Sequence, residues 1–279
     1  MATAKRLKPI AKAPLSVAEI SSCLETEALG RTLGVVSTIG STNQYIKNNA
    51  AILDDGFVIL SETQHAGRGR LGKSFISPSG GLYMSILLKD KKYTKNADYI
   101  TVRASLAVTR AIEKLTHLNN VGIKWVNDIY CDDRKVCGIL AERVVSADKY
   151  DYIVLGIGVN VITKPSDFSK EVRDIAGSLS DWCDVDFSKN ILAAEIINNL
   201  EKYLGVRDEK IHSQLLEEYR QKSILIGKDI YVISGDQQIR ARVIGIDDNA
   251  SLYVQYDNGE AGILRTGEVS TKLVKEEEE

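Results

Sequence analysis

Two arginines set in a glycine-rich stretch are the side chains best suited to chemistry in this sequence of 279 residues. Residues 64–75 are QHAGRGRLGKSF, so that three glycines and two arginines fall within residues 67–72. Glycine allows backbone N–H groups to converge on an anion, and the arginine guanidinium is a planar fork that suits a carboxylate or a phosphate. The stretch therefore predicts an anion-binding loop.

Two common phosphate-binding patterns occur within this loop. Residues 67–74 match G-x-x-x-x-G-K-S, the P-loop pattern, and residues 67–72 match G-x-G-x-x-G, the dinucleotide pattern. Both require a strand before the loop and a helix that begins within it. A strand is predicted at residues 57–62, but the loop leads through a cluster of breakers into another strand at residues 82–88. We therefore expect neither pattern to hold in its usual sense, and we expect Lys73 to tolerate substitution.

Other polar side chains occupy predicted strand ends and turns. Any one of them alone is most often a solvated or capping residue. Together they combine hydroxyl, amide and cationic groups, which hold charged oxygen atoms and stabilise charge that develops on them. His65, His117 and His212 lack the spacing of a nucleophilic or metal site. The residues of the set are Ser41, Thr42, Gln64, Arg68, Arg70, Lys124, Asn127, Asp128, Lys135 and Asn160.

The composition argues against several other classes of protein. The net charge of −2 gives no overall attraction to nucleic acid or to a membrane surface, and no apolar run is long enough to span a bilayer. The start of the sequence lacks the apolar segment of a signal peptide. The four cysteines have no C-x-x-C spacing, which favours a reduced protein over a disulfide scaffold or a zinc site. We therefore expect a cytoplasmic protein with no membrane partner.

Hydrophobic periodicity predicts three regions that position these side chains. Residues 1–33 form an arm with one helix, from a Ser16 N-cap to about residue 29, and are too short for a DNA-reading winged helix-turn-helix. Residues 34–221 contain strands and helices, with the longest helix at about residues 97–118. Residues 222–279 contain five short strands, which predict a small β-barrel of SH3-like size.

Five segments occur in the order and at the intervals of a known motif set. They are S-T-N at 41–43, Q-H-A-G-R-G-R at 64–70, K-W-V-N-D at 124–128, K-V-C-G-I-L at 135–140 and G-I-G-V-N at 156–160. Together they resemble the motifs of biotin protein ligase, the biotin–[acetyl-CoA-carboxylase] ligase. The resemblance extends from about residue 34 to residue 272, and residues 266–270 resemble the closing motif of the family. It implies an α+β fold, with a class II synthetase-like mixed β-sheet flanked by helices and a small C-terminal SH3-like β-barrel.

The resemblance also implies an activity. The carboxylate of biotin would attack the α-phosphorus of ATP to give biotinyl-5′-AMP and pyrophosphate. A specific lysine of the biotin carboxyl carrier protein of acetyl-CoA carboxylase would then attack the adenylate. ATP and Mg²⁺ would be required, and a homodimer is a family-level expectation. Because residues 1–33 are too short for a DNA-binding module, we expect a ligase with no DNA partner.

The resemblance assigns roles to individual residues. Arg68, Arg70 and Lys135 would be catalytic, since they would neutralise the reacting carboxylate and phosphate. No metal site of the protein itself is expected, although Asp128 is a candidate ligand for the Mg²⁺ that accompanies ATP. The biotin-binding residues would be Ser41, Thr42, Asn43, Gln64, Gly67, Arg68, Gly69, Arg70, Lys135 and Gly138. The nucleotide-binding residues would be Arg70, Phe75, Lys124, Asn127, Asp128 and Asn160.

The sequence departs from the family pattern at two positions and leaves alternatives open. Val126 stands where the family usually has proline, and Phe75 stands where bacterial members often have tryptophan near the adenine. The main alternative is a lipoate ligase or octanoyltransferase, which would be expected to lack both the GRGR loop and the C-terminal barrel. The others are a P-loop nucleotide switch, whose hydrolysis would depend on Lys73, and a catalytically silent biotin-binding module.

Overall fold

The computed structural model describes residues 9–94, 97–145, 151–265 and 270–273. The larger of its two sheets has seven strands, numbered along the chain: β1 (Leu33–Ile39), β2 (Val58–Gln64), β3 (Gly81–Leu88), β4 (Val121–Lys124), β5 (Asp128–Cys131), β6 (Arg134–Val145) and β7 (Asp151–Asn160). They lie in the order β1-β2-β3-β7-β6-β5-β4, with β1 and β2 parallel and the other neighbours antiparallel. The predicted mixed sheet is therefore confirmed.

Helices pack on both faces of this sheet. Those of the described chain are α1 (Val17–Ser22), α2 (Thr42–Asn49), α3 (Lys91–Thr94), α4 (Ala97–Thr116), α5 (Lys170–Arg173), α6 (Lys189–Leu204) and α7 (Glu209–Lys222). Single 3₁₀ turns lie at Pro9–Lys12, Arg70–Gly72, Pro165–Asp167 and Leu179–Asp181. One large apolar core joins α4 and α6 to one face, and a smaller core joins α2 to the other. Every residue of β3 is buried as a result, which fits its apolar sequence.

Polar caps begin several of these helices, including the predicted cap at Ser16. Ser41 Oγ accepts a hydrogen bond from the backbone N–H of Gln44, and Ser16 Oγ accepts one from Glu19 in the same way. Ser188 and Asp208 cap α6 and α7. Because a capping oxygen satisfies an N–H group with no partner inside the helix, each of these side chains fixes where its helix starts.

The first helix is shorter than predicted, because it ends at Ser22 rather than near residue 29. The backbone N–H groups of Glu27, Ala28 and Leu29 do not continue it. They donate instead to the carboxylate of Glu201 in α6, at 2.6, 2.7 and 2.8 Å. Tertiary hydrogen bonds therefore replace the helical ones. Local sequence patterns do not predict this, because Glu201 is distant in the sequence.

The smaller sheet contains the five strands predicted after residue 222. They are β8 (Asp229–Ser234), β9 (Gln237–Ile246), β10 (Leu252–Tyr256), β11 (Ala261–Leu264) and β12 (Ser270–Leu273). The order is β11-β10-β9-β8-β12, and all neighbours are antiparallel. Of the predicted closing motif, residues 266–269 lie outside the described residues, as do residues 1–8 of the N-terminal arm.

The two sheets share an apolar core. Trp125, Val126 and Tyr219 from the larger unit pack in one cluster with buried residues of the smaller sheet, such as Val243 and Leu252. The indole Nε1 of Trp125 also donates to the backbone oxygen of Ala250 at 2.9 Å. The smaller sheet is therefore held against the larger unit by burial as well as by hydrogen bonds.

The sequence argues against a membrane protein, a metal site and a disulfide scaffold, and the fold bears on each of these. No helix in the described part of the chain is long and apolar enough to cross a membrane. Within the same ranges, no group of three or more His, Cys, Asp or Glu side chains could hold a metal ion. All four cysteines are free; Cys131 and Cys137 are buried, whereas Cys23 is exposed.

Candidate functional site

A cavity of about 480 Å³ opens where the larger sheet meets the smaller one. Its floor is made by the backbones of β6 and β7, where Gly138 lies directly opposite Gly158 and Leu140 lies opposite Gly156. These residues share one face because side chains alternate along a strand. The glycines leave that face flat, so groups from the flanking loops can lie directly on the main chain.

Phe75 is one such group. A Cβ atom at Gly158 would lie 2.5 Å from Cε1 of the Phe75 ring, and a Cβ at Gly138 would lie 2.7 Å from its Cε2. Only glycine can therefore stand at either position while the ring keeps its place. The resemblance predicts Phe75 beside the adenine and Gly138 beside biotin, but the two residues are in contact in this structure.

A polar corner lies at the start of α2, where the sequence predicts contacts to biotin. Gln64 Oε1 accepts a hydrogen bond from the backbone N–H of Thr42 at 2.9 Å and lies 3.1 Å from the Thr42 hydroxyl oxygen. The amide Nε2 of Gln64 donates to Ser77 Oγ at 2.9 Å. Ser41, which caps α2, lines the same corner. The Gln64 side chain is therefore held in one orientation by partners at both ends.

Asn43 extends the corner across the sheet. Its Oδ1 atom lies 2.5 Å from the hydroxyl of Ser85, and its Nδ2 atom donates to Glu142 at 2.9 Å. A Cβ atom at Gly156 would lie only 2.2 Å from Asn43 Oδ1, so the glycine makes room for this amide. Asn43 is buried, and both ends of its amide have partners.

The opposite side of the cavity is strongly cationic. Asp128 is the one acidic residue among the described residues that line it, and its Oδ1 atom pairs with Lys135 Nζ at 2.6 Å. Burial lowers the pKa of Lys124, Asp128 opposes that shift, and the neighbouring lysines reinforce it. The cationic lining residues are Arg68, Arg70, Lys73, Lys124, Lys135 and Lys272. Such a lining attracts an anion with several charges.

The glycine-rich loop forms a small hairpin over this cationic side. Gly69 N donates to the backbone oxygen of Lys73 at 2.7 Å, and Phe75 N donates to that of Gly67 at 3.0 Å. No helix of more than a single 3₁₀ turn follows the glycines, which confirms that neither standard phosphate-binding pattern holds. Gly67 does not line the cavity; a Cβ there would lie 2.3 Å from the backbone oxygen of Phe75, so its part is to let the two chains approach.

Arg70 turns inward from the loop. Its Nη1 atom donates to Asn127 Oδ1 at 3.2 Å, and Asn127 Nδ2 donates to the backbone oxygen of Ile139 at 2.7 Å. Burial lowers the pKa of the Arg70 guanidinium, while Asp128 opposes the shift. Two predicted nucleotide-binding residues are therefore joined to each other and to the sheet.

Asn160 lies at the end of β7 in the wall of the cavity. Its Nδ2 atom donates to the backbone oxygen of Gly177 at 3.0 Å. Its Oδ1 atom is buried and has no hydrogen-bond partner among the described residues. A buried carbonyl oxygen without a partner is unfavourable, so Asn160 brings an unmet hydrogen-bond acceptor to the wall of the cavity.

Several lining residues were not predicted. Ile175 belongs to the segment after α5, and Ile233, Thr271 and Lys272 belong to the smaller sheet. Nothing in the sequence indicates that Lys272 lines the same cavity as the glycine-rich loop, because only the packing of the two sheets brings both to it. Lys73 also lines the cavity, from an exposed position.

The sequence and the fold can be compared with known proteins. Residues 35–160 match the Biotin/lipoate A/B protein ligase family. Over 254 residues the chain is 31% identical to the Bifunctional ligase/repressor BirA of Bacillus subtilis. The aligned residues cover 88% of this chain and 76% of the Bacillus protein. The chain belongs to the biotin protein ligases of this family.

Other biotin protein ligases support the same assignment. The biotin–[acetyl-CoA-carboxylase] ligase of Mycobacterium tuberculosis is 30% identical over 246 residues, which cover 86% of this chain and 88% of that one. The solved structure of a biotin protein ligase from Aquifex aeolicus in complex with biotin and ATP has a TM-score of 0.76 at 25% identity. It covers 88% of this chain and 100% of the Aquifex chain.

Val126, at the position where the resemblance predicts proline, is buried between Trp125 and Asn127, which both line the cavity. The Trp125–Val126 peptide bond is cis. The backbone oxygen of Val126 accepts hydrogen bonds from the hydroxyl of Tyr219 at 3.1 Å and from Ser105 at 3.4 Å. This turn is therefore anchored to α4 and α7, next to the predicted nucleotide-binding residue Asn127.

Proposed function

We propose that this cavity performs the two steps of a biotin protein ligase. Biotin is activated with ATP to biotinyl-5′-AMP and pyrophosphate. The amine of a lysine of a biotin carboxyl carrier protein then forms an amide bond with the biotinyl group, and AMP leaves. The observation that supports this most directly is the division of a single cavity. A polar corner on a flat glycine floor adjoins a cationic side with Arg68, Arg70 and Lys135, so a neutral ring and a polyphosphate can bind side by side.

The polar corner suits the ring of biotin. In the proposed arrangement Ser41, Thr42 and Gln64 hydrogen-bond to the ureido group. The strand backbone near Gly138, on which the Phe75 ring lies, is beside them. Asn43 supports this corner from behind. Because Gln64 is already held by Thr42 and Ser77, little side-chain freedom is lost when the ligand binds.

The cationic side suits the reacting groups. Lys135 is placed to neutralise the biotin carboxylate and the α-phosphate, which repel each other as they approach, and Arg68 and Arg70 add two guanidinium groups from the loop. An oxygen of the carboxylate forms a bond to the α-phosphorus, and pyrophosphate leaves with the electrons of the broken P–O bond. Lys124, Asn127, Asn160 and Phe75 border the proposed nucleotide site. Closure of the loop would also protect the adenylate from water.

Mg²⁺ would accompany ATP rather than occupy a site of the protein alone. Asp128 is the one carboxylate among the described residues of the cavity, and it is paired with Lys135. A single carboxylate fits the way Mg²⁺ binds in nucleotide sites, where phosphates and water supply most of its ligands. The ion would offset the charge of the triphosphate.

We also propose finer features of the fold and of the setting of the protein. The five antiparallel strands after residue 222 have the number and spacing of an SH3-like barrel, and the larger sheet has the mixed pairing of class II synthetase-like folds. We also propose residues 1–33, 34–221 and 222–279 as the limits of arm, catalytic domain and C-terminal domain. A cytoplasmic location, the carrier of acetyl-CoA carboxylase as substrate, a homodimer and the lack of a DNA partner remain predictions.

The decisive experiment is biotin-dependent exchange of pyrophosphate into ATP, with lipoate and octanoate as control acids. We expect exchange with biotin alone, followed by labelling of an added biotin carboxyl carrier protein. Equal exchange with lipoate would favour the lipoate ligase alternative, and no exchange with any acid would contradict the activation step. Hydrolysis of ATP in the absence of an acid would favour a nucleotide switch instead.

A further inference from the structure

A chain of hydrogen bonds leads from the cavity to a carboxylate on β6. This carboxylate belongs to Glu142, whose side chain is 26% exposed. Its Oε2 atom accepts from Asn43 Nδ2 at 2.9 Å, and its Oε1 atom pairs with Lys47 Nζ at 2.6 Å. The proposed function gives Glu142 no role, although a buried asparagine of the cavity depends on it.

The groups between Glu142 and the cavity are closed off from solvent. Thr42, Asn43 and Ser85 are 3%, 5% and 0% exposed. Asn43 Oδ1 lies 2.5 Å from Ser85 Oγ, and Ser85 Oγ lies 2.7 Å from Thr42 Oγ1. Each of these oxygen–oxygen contacts needs a proton between its atoms, since two bare oxygens repel each other at such distances.

The protons of this chain can be assigned by counting donors. An ionised carboxylate only accepts hydrogen bonds, so Asn43 turns its NH₂ group toward Glu142 and its Oδ1 atom toward Ser85. Because Oδ1 has no proton, the hydroxyl proton of Ser85 is directed to it. The contact between Ser85 and Thr42 then requires the hydroxyl proton of Thr42. For any further partner, Thr42 Oγ1 therefore has only lone pairs.

The hydrogen bonds of Gln64 are consistent with this direction of the hydroxyl protons. Its Oε1 atom already accepts from the backbone N–H of Thr42 at 2.9 Å, so it does not depend on the Thr42 hydroxyl at 3.1 Å. Its Nε2 atom donates to Ser77 Oγ, which in turn donates to the backbone oxygen of Phe75 at 2.9 Å. Every hydroxyl proton between Thr42 and Glu142 can thus point away from the cavity.

We propose that Glu142 is a positioning residue that sets the hydrogen-bond polarity of the cavity, so that Thr42 Oγ1 faces the ligand as an acceptor. This inference rests on the proposed placement of the biotin ring beside Thr42. The ureido ring of biotin has N–H donors that match an acceptor. The dithiolane ring of lipoate and the alkyl chain of octanoate have none, so the same polarity favours biotin over both acids.

The test compares biotin with its cyclic carbamate analogues, in which an oxygen atom replaces one or the other ureido N–H. Oxygen is close in size to N–H but cannot donate, so the analogue with oxygen beside Thr42 loses one hydrogen bond. Calorimetry on the full chain should show that the wild type prefers biotin over this analogue by about tenfold or more. In Glu142→Gln the new amide can turn its NH₂ group to Asn43, so the direction of the hydrogen bonds from Glu142 to Thr42 can reverse. The preference for biotin over the analogue should then fall to about threefold or less.

Two further variants distinguish an effect on hydrogen-bond direction from a general structural role of these residues. Lys47→Gln removes the ion pair but leaves the acceptor for Asn43, so it should keep the wild-type preference. Ser85→Ala interrupts the chain without altering Glu142, and the freed hydroxyl of Thr42 should lower the preference as Glu142→Gln does. Because Ser85→Ala is a small change, it also serves if Glu142→Gln does not fold.

The outcomes that overturn the proposal are distinct. If Glu142→Gln and Ser85→Ala weaken biotin and its analogues in equal proportion, or weaken ATP as much as biotin, the residues act only as general support. Loss of the preference in Lys47→Gln would assign it to the ion pair. A wild-type protein that does not bind biotin would overturn the proposed function as well, whereas normal biotin binding with unchanged preference in the variants overturns this inference alone.

Discussion

At the scale of single residues, the positive charge of Lys135 should control the rate of the activation step. Lys135 pairs with Asp128 at 2.6 Å, at the position proposed for the reacting carboxylate and α-phosphate. We predict that Lys135→Ala lowers the rate of biotin-dependent pyrophosphate exchange by about 10²–10³-fold, since a preorganised charge acts mainly on the transition state. The loss should appear in kcat more than in the KM for biotin.

Lys73 provides the matched control, because it has the same charge and lines the same cavity from an exposed position. Lys73→Ala should lower exchange by less than about tenfold, since solvent screens an exposed charge. A loss as large as that of Lys135→Ala would contradict this prediction and would favour the P-loop alternative.

The glycine floor leads to a second prediction. In Gly158→Ala the new Cβ would lie 2.5 Å from Phe75, and we expect a destabilisation of about 1–3 kcal/mol, as for an overpacked core. The combination with Phe75→Leu should recover at least half of this loss, because the smaller side chain can move aside. Free energies of unfolding in urea would measure both effects.

Gly245→Ala is the control for the change of residue type. Gly245 also lies in a strand, but nothing lies within 4 Å of a Cβ added there. A similar loss of stability in Gly245→Ala, or no recovery with Phe75→Leu, would show that the contact with Phe75 is not the cause.

Much of the candidate site could be predicted at this scale, for a physical reason. The predicted residues occur in short segments, and each segment forms a strand end or turn whose backbone places its side chains locally, as at Ser41 and Asn160. The contact between Phe75 and the glycine floor could not be predicted, because it depends on how a loop folds back over two strands. Lys272 was missed for the same reason, over a longer distance.

At the scale of elements, the segment after α1 depends on the carboxylate of Glu201. Three backbone N–H groups, those of Glu27, Ala28 and Leu29, donate to it. We predict that Glu201→Gln destabilises the protein by about 1–3 kcal/mol, because an amide cannot accept from all three donors with the same strength. Glu25→Gln, in the same segment, should have little effect.

The same contact should depend on pH. Burial raises the pKa of Glu201, but the backbone donors outweigh it, and the pKa in the folded protein is lowered. The stabilisation is therefore present above the pKa of an unfolded glutamate, roughly 4.3, and is lost as the pH falls through the folded value. The difference in unfolding free energy between wild type and Glu201→Gln should shrink below about pH 4; a constant difference would contradict this account.

This segment also shows where the prediction of elements fails. The apolar periodicity predicted a helix to about residue 29, whereas Glu201 ends it earlier by offering better acceptors to the backbone. The long helix α4 was predicted well, because its 20 residues have a consistent apolar face.

At the scale of the whole molecule, the joint between the two sheets should respond to pH. His212 of α7 lies at this joint, with its ring 4.4 Å from that of Tyr99 and its Nδ1 atom 3.4 Å from Arg103 Nη2. The hydroxyl of Tyr99 donates to the backbone oxygen of Asp248 next to the smaller sheet. Burial lowers the pKa of His212, Arg103 lowers it further, and Asp248 opposes them.

The sign of the effect follows from this shift. Below roughly pH 6.5, the ordinary pKa of histidine, the unfolded chain binds a proton that the folded protein binds less readily. Stability should therefore be at its full value above about pH 6.5 and decrease as the pH falls toward the folded pKa. His212→Gln should flatten the melting temperature between pH 7.5 and pH 5.5, whereas His117→Asn should leave the wild-type slope.

The arrangement of the whole molecule was predictable only in part. The five strands after residue 222 follow from alternating patterns and turns, and the structure contains them. The order of the strands in each sheet and the core shared through Trp125 depend on contacts between distant parts of the chain, which a local pattern does not specify.

The glycine floor has a consequence for engineering this ligase. Glycine is already the smallest residue, so no substitution at Gly138, Gly156 or Gly158 can widen the cavity; mutation there can only fill it. Directed evolution toward a bulkier biotin analogue would therefore have to gain its space by replacing the ring of Phe75. In a saturation library of these four positions, we expect enlarged substrate range to arise at Phe75 alone.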